Sequence, residues 1–192
     1  MRIILASASP RRRELLTQLG WEFEVMISDV EEVITRTLPQ EVVEELSYIK
    51  AKDVFDKTEG DVLVIGSDTV VAYENRILGK PRDVEDAKET LARLSGNSHH
   101  VFTGVTLFKR EGETVTQKTF HEATRVEFYP MTKEEIDWYV ASGECSDKAG
   151  SYAIQGLGGR FVKSIEGDYN NVVGLPIARL YHEVQYEEIS NF

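Results

Sequence analysis

The sequence predicts an α/β fold built on a mixed β-sheet flanked by helices. Short apolar runs alternate with helical patterns in the first part of the chain, long hairpin-like strands follow, and a strand and a helix close the sequence. Hairpins do not belong in a purely parallel sheet, so their mixture with strand–helix units sets the class. The 192 residues, 41% apolar and 9% aromatic, are enough for one domain or two tightly joined lobes with a proper core. No repeat, low-complexity run or linker interrupts them, so residues 1–192 are read as one domain.

Arg2 to Ala6 reads as a strand, Pro10 to Leu19 as a helix closed by Gly20, Trp21 to Ile27 as extended, and Gln40 to Asp56 as a long helix. Asp61 to Gly66 is a continuous apolar run suited to a strand buried on both faces. Val70 to Leu78 reads as a hairpin turning near Glu74-Asn75. Asp83 caps a helix running through Leu94, and Val101 to Lys109 and Thr114 to Phe128 form longer paired strands. Thr132-Lys133-Glu134-Glu135 is a capping box for a helix to Ser142. A Gly-rich loop from Gly143 to Gly159, a strand from Phe161 to Ile165 and a final helix near Pro176 to Val184 complete the chain.

A net charge of −11 argues against a nucleic-acid or membrane surface, which needs a broad basic field, so an anionic ligand must be held locally. The single Cys145 forms no intramolecular disulfide, and no zinc-type Cys/His spacing occurs, which points to a reducing compartment. The N-terminal apolar run is too short for a signal or spanning segment. A cytoplasmic protein is expected.

Chemistry is written first in Ser7-Ala8-Ser9-Pro10-Arg11-Arg12. Ser9 as N-cap and Pro10 as first helical residue place Arg11, Arg12 and Arg13 in the first turn, where cations oppose the helix dipole and an anion reverses the penalty. Asp68, in Gly66-Ser67-Asp68-Thr69, is expected at the crevice beyond the end of the apolar strand, where a carboxylate orients water or holds Mg²⁺. Lys50 shares a helix face with Val43, Leu46 and Val54, for which snorkelling is the ordinary reading. Lys80 is fixed between Gly79 and Pro81. Gly158-Gly159 satisfies neither a dinucleotide fingerprint nor a Walker A loop. Neighbours on a strand face opposite ways, so His99 and His100 are read as structural, and Cys145 has no adjacent His to activate it.

These blocks, together with Gly79-Lys80-Pro81, Thr103-Gly104-Val105, Asp147 to Gly156 and Asn171 to Pro176, resemble the Maf-like nucleoside triphosphate pyrophosphatases over nearly the whole chain. The resemblance implies a fold related to the inosine triphosphate pyrophosphatases, two lobes around a cleft, and cleavage between the α and β phosphates. It implies Asp68 as proton acceptor or metal ligand, Ser7, Arg12, Lys50 and Lys80 on the triphosphate, and Glu32 (or its neighbour Glu31) on a divalent cation, Mg²⁺ or Mn²⁺. Arg11, Thr69 and Gln155 match positions associated with base choice, and the Gln155 block looks like the dTTP/UTP subgroup. A Gln amide both donates to and accepts from a pyrimidine edge, whereas guanine's paired donors favour an acid. Ala153 stands where the subgroup commonly has Gly. The resemblance also implies a homodimer. The alternatives are a nucleotide-binding regulator of septum formation and a 7-methyl-GTP pyrophosphatase.

Overall fold

A computed structural model describes the backbone of residues 1–189 and the side chains through residue 185, so the last three residues of the expected 1–192 unit lie outside the described residues. The elements follow in order: β1 Arg2–Ala6, α1 Pro10–Thr17, β2 Glu24–Val25, α2 Pro39–Asp56, β3 Val62–Tyr73, β4 Arg76–Leu78 and α3 Val84–Leu94. Then come β5 Ser98–Glu111, β6 Thr114–Phe128, α4 Lys133–Ala141, β7 Val162–Glu166, α5 Tyr169–Val173 and α6 Ile177–Ile189. The strands form one sheet in the order β2-β1-β3-β5-β6-β7, with β4 also on β3. β1 is parallel to β2 and β3, and the other pairings are antiparallel, so the expected mixed sheet is present.

Local chemistry sets most boundaries as read. Thr132 and Glu135 exchange both capping-box hydrogen bonds, Asp83 caps α3 through Asp86 N, and the tight turn between β3 and β4 puts Glu74 and Asn75 at φ 50° and 60°. Two expectations need correction, and one element had no counterpart in the sequence reading. Trp21 to Ile27 is mostly irregular, because strand pairing with β1 is confined to Glu24 and Val25, with one further bond from Met26 N to Leu5 O. The apolar run does not stop at Gly66, since β5 pairs with β3 from Val62 to Ala72 and carries the strand through the polar Ser67-Asp68-Thr69. The short α5 was not read from the sequence; Asp168 starts it by accepting from Asn170 N.

Apolar side chains cover both sheet faces. Leu63, Ile65, Val105 and Leu107 pack with Leu15 and Leu16 of α1 and Leu180 of α6, while Val62 and Val64 pack with Ala51, Val54 and Phe55 of α2. A further cluster joins Val71, Leu91, Phe128, Tyr139 and Phe161 around α3 and α4 at the other end. These are the two lobes, and a cleft lies between them.

Helix α2 approaches the sheet through two glycines. A Cβ on Gly66 would fall 2.4 Å from the Ser47 carbonyl oxygen, and one on Gly104 would fall 2.2 Å from that of Val43. Ser47 Oγ meets Thr106 Oγ1 at 2.9 Å within the same contact, a buried polar bond that fixes how far α2 slides. Gly104→Ala should therefore push α2 off the sheet and destabilise the fold by about 1–3 kcal/mol. Denaturant unfolding checks this, and an unchanged midpoint would mean the backbone contact is not as close as described.

Candidate active site

Strand β5 fills one edge of β3, so β1 and β4 share the other. Pairing with β1 ends at Ala6–Gly66 and pairing with β4 begins at Val71–Leu78. Residues 67–70 are left between them, and there the chain leaving β1 turns through Ser7, Ala8 and Ser9 into α1. A cavity of about 570 Å³ opens at this gap.

Side chains alternate along β3, so Asp68 and Thr69 serve opposite faces. Asp68 faces α2, where Lys50 Nζ lies 2.5 Å from its Oδ1 and 3.2 Å from Glu32 Oε1. The Lys50 and Asp68 side chains are only 17% and 15% exposed, so Lys50 is not a snorkelling surface lysine. The close glycine contacts bring its helix near enough to turn the ammonium into the cavity instead. Glu32 belongs to an irregular segment tied back to α2, with Thr35 hydrogen-bonded to Glu45 and Asp29 paired with Lys57. Glu32 lines the cavity and Glu31 is not among its walls.

Thr69 faces α1. The Arg12 guanidinium donates from Nε to Gly174 O (2.8 Å), from Nη1 to Ser7 Oγ (3.3 Å) and from Nη2 to Thr69 Oγ1 (2.9 Å). Thr69 Oγ1 also meets Thr103 Oγ1 at 2.9 Å, and the two hydroxyls reach the carbonyls of Gly174 (3.4 Å) and Asn171 (3.0 Å), so a hydrogen-bonded chain ties Arg12 through Thr69 and Thr103 to the backbone. Of five guanidinium N–H donors three are held by protein, which fixes the group and leaves two for a ligand. Burial lowers the Arg12 pKa, Asp68 opposes this, and the guanidinium stays charged. Ser9 caps α1 from outside, no acid occupies its first turn, and Arg11 also reaches the cavity. The free first-turn N–H groups together with Arg11 and Arg12 give this end the chemistry to cradle an anion.

The opposite wall comes from three loops. Lys80 lines it, and Gly150 N donates to Gly79 O (3.1 Å), joining the Gly79-Lys80-Pro81 turn to the Asp147–Tyr152 segment. Gly150 has φ +68°, and a Cβ there would lie 2.8 Å from Val71. Val71, Val101, Ile154 and Val172 make this end apolar, and Gln155 stands beside them. Every candidate of the sequence reading except Glu31 thus borders one cavity. Lys148, paired with Asp147, and Tyr152 also line it, although neither was singled out from the sequence. Nothing in the local pattern separates Lys148 from a solvated loop lysine; only the folding back of the loop onto Gly79 does.

A family model described as "Maf-like protein" matches residues 2–187. A curated relative from Agathobacter rectalis, named dTTP/UTP pyrophosphatase, is 53% identical over 196 residues, covering 95% of this chain and 96% of the relative. The chain belongs to the Maf-like family. A Bacillus cereus relative of the same name is 51% identical over 189 residues, covering 98% of this chain and 96% of its own. The solved structure of the Staphylococcus aureus Ham1 protein shares the fold, with a TM-score of 0.54 at 16% identity over 97% of the Maf-like chain and 100% of its own.

The wall of the Maf-like cavity is backed by a buried histidine. His99 Nε2 meets the Tyr152 hydroxyl at 2.8 Å, and Phe128 and Tyr152 present their rings edge-on to the imidazole. His99 is buried while His100 is exposed, as expected of strand neighbours. Desolvation, with a smaller push from His100, lowers the His99 pKa from 6.5 to about 4. Between these values the unfolded chain binds a proton that the folded imidazole refuses. Stability should therefore fall as pH drops from 6.5 to about 4 and stop changing through this group below that, a loss on the order of 3 kcal/mol. Thermal melts against pH should show this slope in wild type and a flatter one in His99→Asn; an identical slope in the variant would place the titration elsewhere.

Proposed function

We propose that this protein hydrolyses dTTP and UTP to the nucleoside monophosphate and pyrophosphate. The observation that carries the reading is the meeting, in one cavity, of the α1 anion cradle with Lys50, Asp68 and Glu32. The names of relatives at about half identity support the substrates. Treating the chain as a single functional unit is supported by the span of the cavity's residues, from Ala6 to Gly174.

In this reading Arg12, the first-turn N–H groups of α1 and Ser7 hold the phosphates at a fixed place, and Lys50 and Lys80 add point charges. Asp68 accepts a proton from water as the water oxygen bonds to the α-phosphorus. The bond from that phosphorus to the bridging oxygen breaks, and pyrophosphate leaves with the electron pair. Lys50, held to Asp68, orients the carboxylate and offsets the charge that gathers as phosphate approaches. At the apolar end Gln155 presents both a donor and an acceptor to a pyrimidine edge, with Arg11 and Thr69 the other specificity positions.

The donor set suits a divalent cation. Among the described residues no three His, Cys, Asp or Glu side chains converge, but Mg²⁺ or Mn²⁺ completed by water and substrate phosphates needs only one or two carboxylates, here Glu32 and Asp68. Such an ion would neutralise charge on the phosphate oxygens. No described helix is long and apolar enough to cross a membrane, and the buried free Cys145 agrees with a cytoplasmic setting. A homodimer completes the reading, with sedimentation as its test.

Pyrophosphate release from dTTP, UTP, CTP, GTP and 7-methyl-GTP with Mg²⁺ or Mn²⁺ is the direct assay; nucleotide binding without release would overturn the enzymatic reading. Asp68→Asn should lower kcat by about 10²–10⁴-fold while nucleotide binding persists. Turnover close to wild type would move the base to another group. Gln155→Glu should erode the pyrimidine preference, and an unaltered profile would remove Gln155 from base selection.

A further inference from the structure

Gln155 lies on an irregular stretch, residues 152–156, that leads into a 3-10 turn at Leu157–Phe161, yet a selective contact needs a fixed backbone. The fixing comes from the far side of the loop. Glu144, just beyond α4, accepts from Leu157 N through Oε2 (2.9 Å) and from Gly158 N through Oε1 (3.0 Å). Its Oε1 also accepts from the Tyr139 hydroxyl (2.9 Å), and that oxygen in turn accepts from Ala153 N (3.2 Å). Backbone donors on both sides of Gln155 are thereby drawn to one carboxylate and one phenol.

The loop is shaped around this acceptor. Gly156 has φ +141°, and a Cβ there would fall 2.4 Å from Glu144 Oε2; one on Gly158 would fall 2.8 Å from the Tyr139 hydroxyl. The carboxylate therefore occupies space that any other residue at position 156 would need. Desolvation opposes its charge, but the Leu157 and Gly158 N–H groups and the Tyr139 hydroxyl outweigh it and keep the Glu144 pKa below the ordinary value. Burial, aided by Glu144, raises that of Tyr139, which keeps the phenol a donor.

We infer that Glu144 is a positioning residue for base selection: with Tyr139 it clamps the Ala153–Gly158 loop and so sets where Gln155 meets the nucleobase. Glu144 lines no part of the cavity and acts only through the loop. The inference rests on the reading that this end of the cavity receives the base. Glu144→Gln is the informative change, because an amide has one oxygen where two are in use. Whichever way it turns, its NH₂ confronts a backbone N–H, while the Tyr139 oxygen is already engaged by Ala153.

The experiment measures kcat/KM for dTTP and GTP, inhibition by inorganic triphosphate, which has no base, and the thermal midpoint, for wild type, Glu144→Gln, Tyr139→Phe and Gln155→Glu. Glu144→Gln should lower the dTTP-over-GTP preference about tenfold, mainly through KM for dTTP, with triphosphate inhibition unchanged. Tyr139→Phe, which frees Ala153 N and removes one donor from Glu144 while leaving its bonds to Leu157 N and Gly158 N, should move the preference the same way by less, and it serves as the deciding variant if Glu144→Gln does not fold. An unchanged preference in a folded variant overturns the inference. So does a parallel loss on dTTP, GTP and triphosphate, which marks a general structural role. If Gln155→Glu leaves the preference intact while Glu144→Gln shifts it, the clamp stands and the base is read by another loop residue. If Gln155→Glu shifts it and Glu144→Gln does not, the clamp alone fails.

Discussion

Helix α2 meets the sheet backbone to backbone at Gly66 and Gly104, two residues that stand on neighbouring strands two register positions apart. A larger residue at either place holds the helix away, and the Lys50 ammonium then no longer reaches Asp68. The segment bearing Glu32 depends on the same contact, because Thr35 anchors it to Glu45 of α2 and Asp29 to Lys57, the residue that ends the helix. One steric condition, satisfied by the absence of two methyl groups, thus brings a cation and the Glu32 carboxylate to the Asp68 that β3 holds in the cavity.

The opposite face of β3 is organised by hydrogen bonds instead of close packing. Arg12 is held by a carbonyl and two hydroxyls, and the Thr69–Thr103 chain passes its polarity to the backbone of α5. Such a buried network stabilises only when every member is satisfied, which makes it rigid. A rigid buried arginine suits anion recognition, because its desolvation is already offset in the folded protein. The two faces therefore differ in kind. The ionisable Lys50, Asp68 and Glu32 lie toward α2, and the hydrogen-bonded Arg12 lies toward α1.

The helices, the long hairpin and the Ser9-Pro10 turn into α1 were legible because their determinants are local: caps, alternation, and a proline at the first helical position. The position of Asp68 was read correctly for an incomplete reason. The strand does not end before it; β1 ends beside it, and pairing partners are invisible in a single stretch of sequence. Lys50 illustrates the same limit, since its helix face is plain from spacing but the distance from that helix to the sheet is set by glycines elsewhere in the chain. Glu144 was missed because its partners lie on a loop whose path only the tertiary structure defines, and Lys148 because its own loop reaches the cavity only through that path.

The alternation of Asp68 and Thr69 on one continuous strand has a consequence for how such a chain can vary through descent. A one-residue insertion or deletion between Gly66 and Asp68 would either invert the pair, aiming the acid at Arg12 and the hydroxyl at Lys50, or keep the pair and turn the Gly66 contact away from α2. Loops around the cavity can lengthen or shorten and so explore new ligands. The stretch of β3 facing the gap can exchange side chains, but its length is frozen.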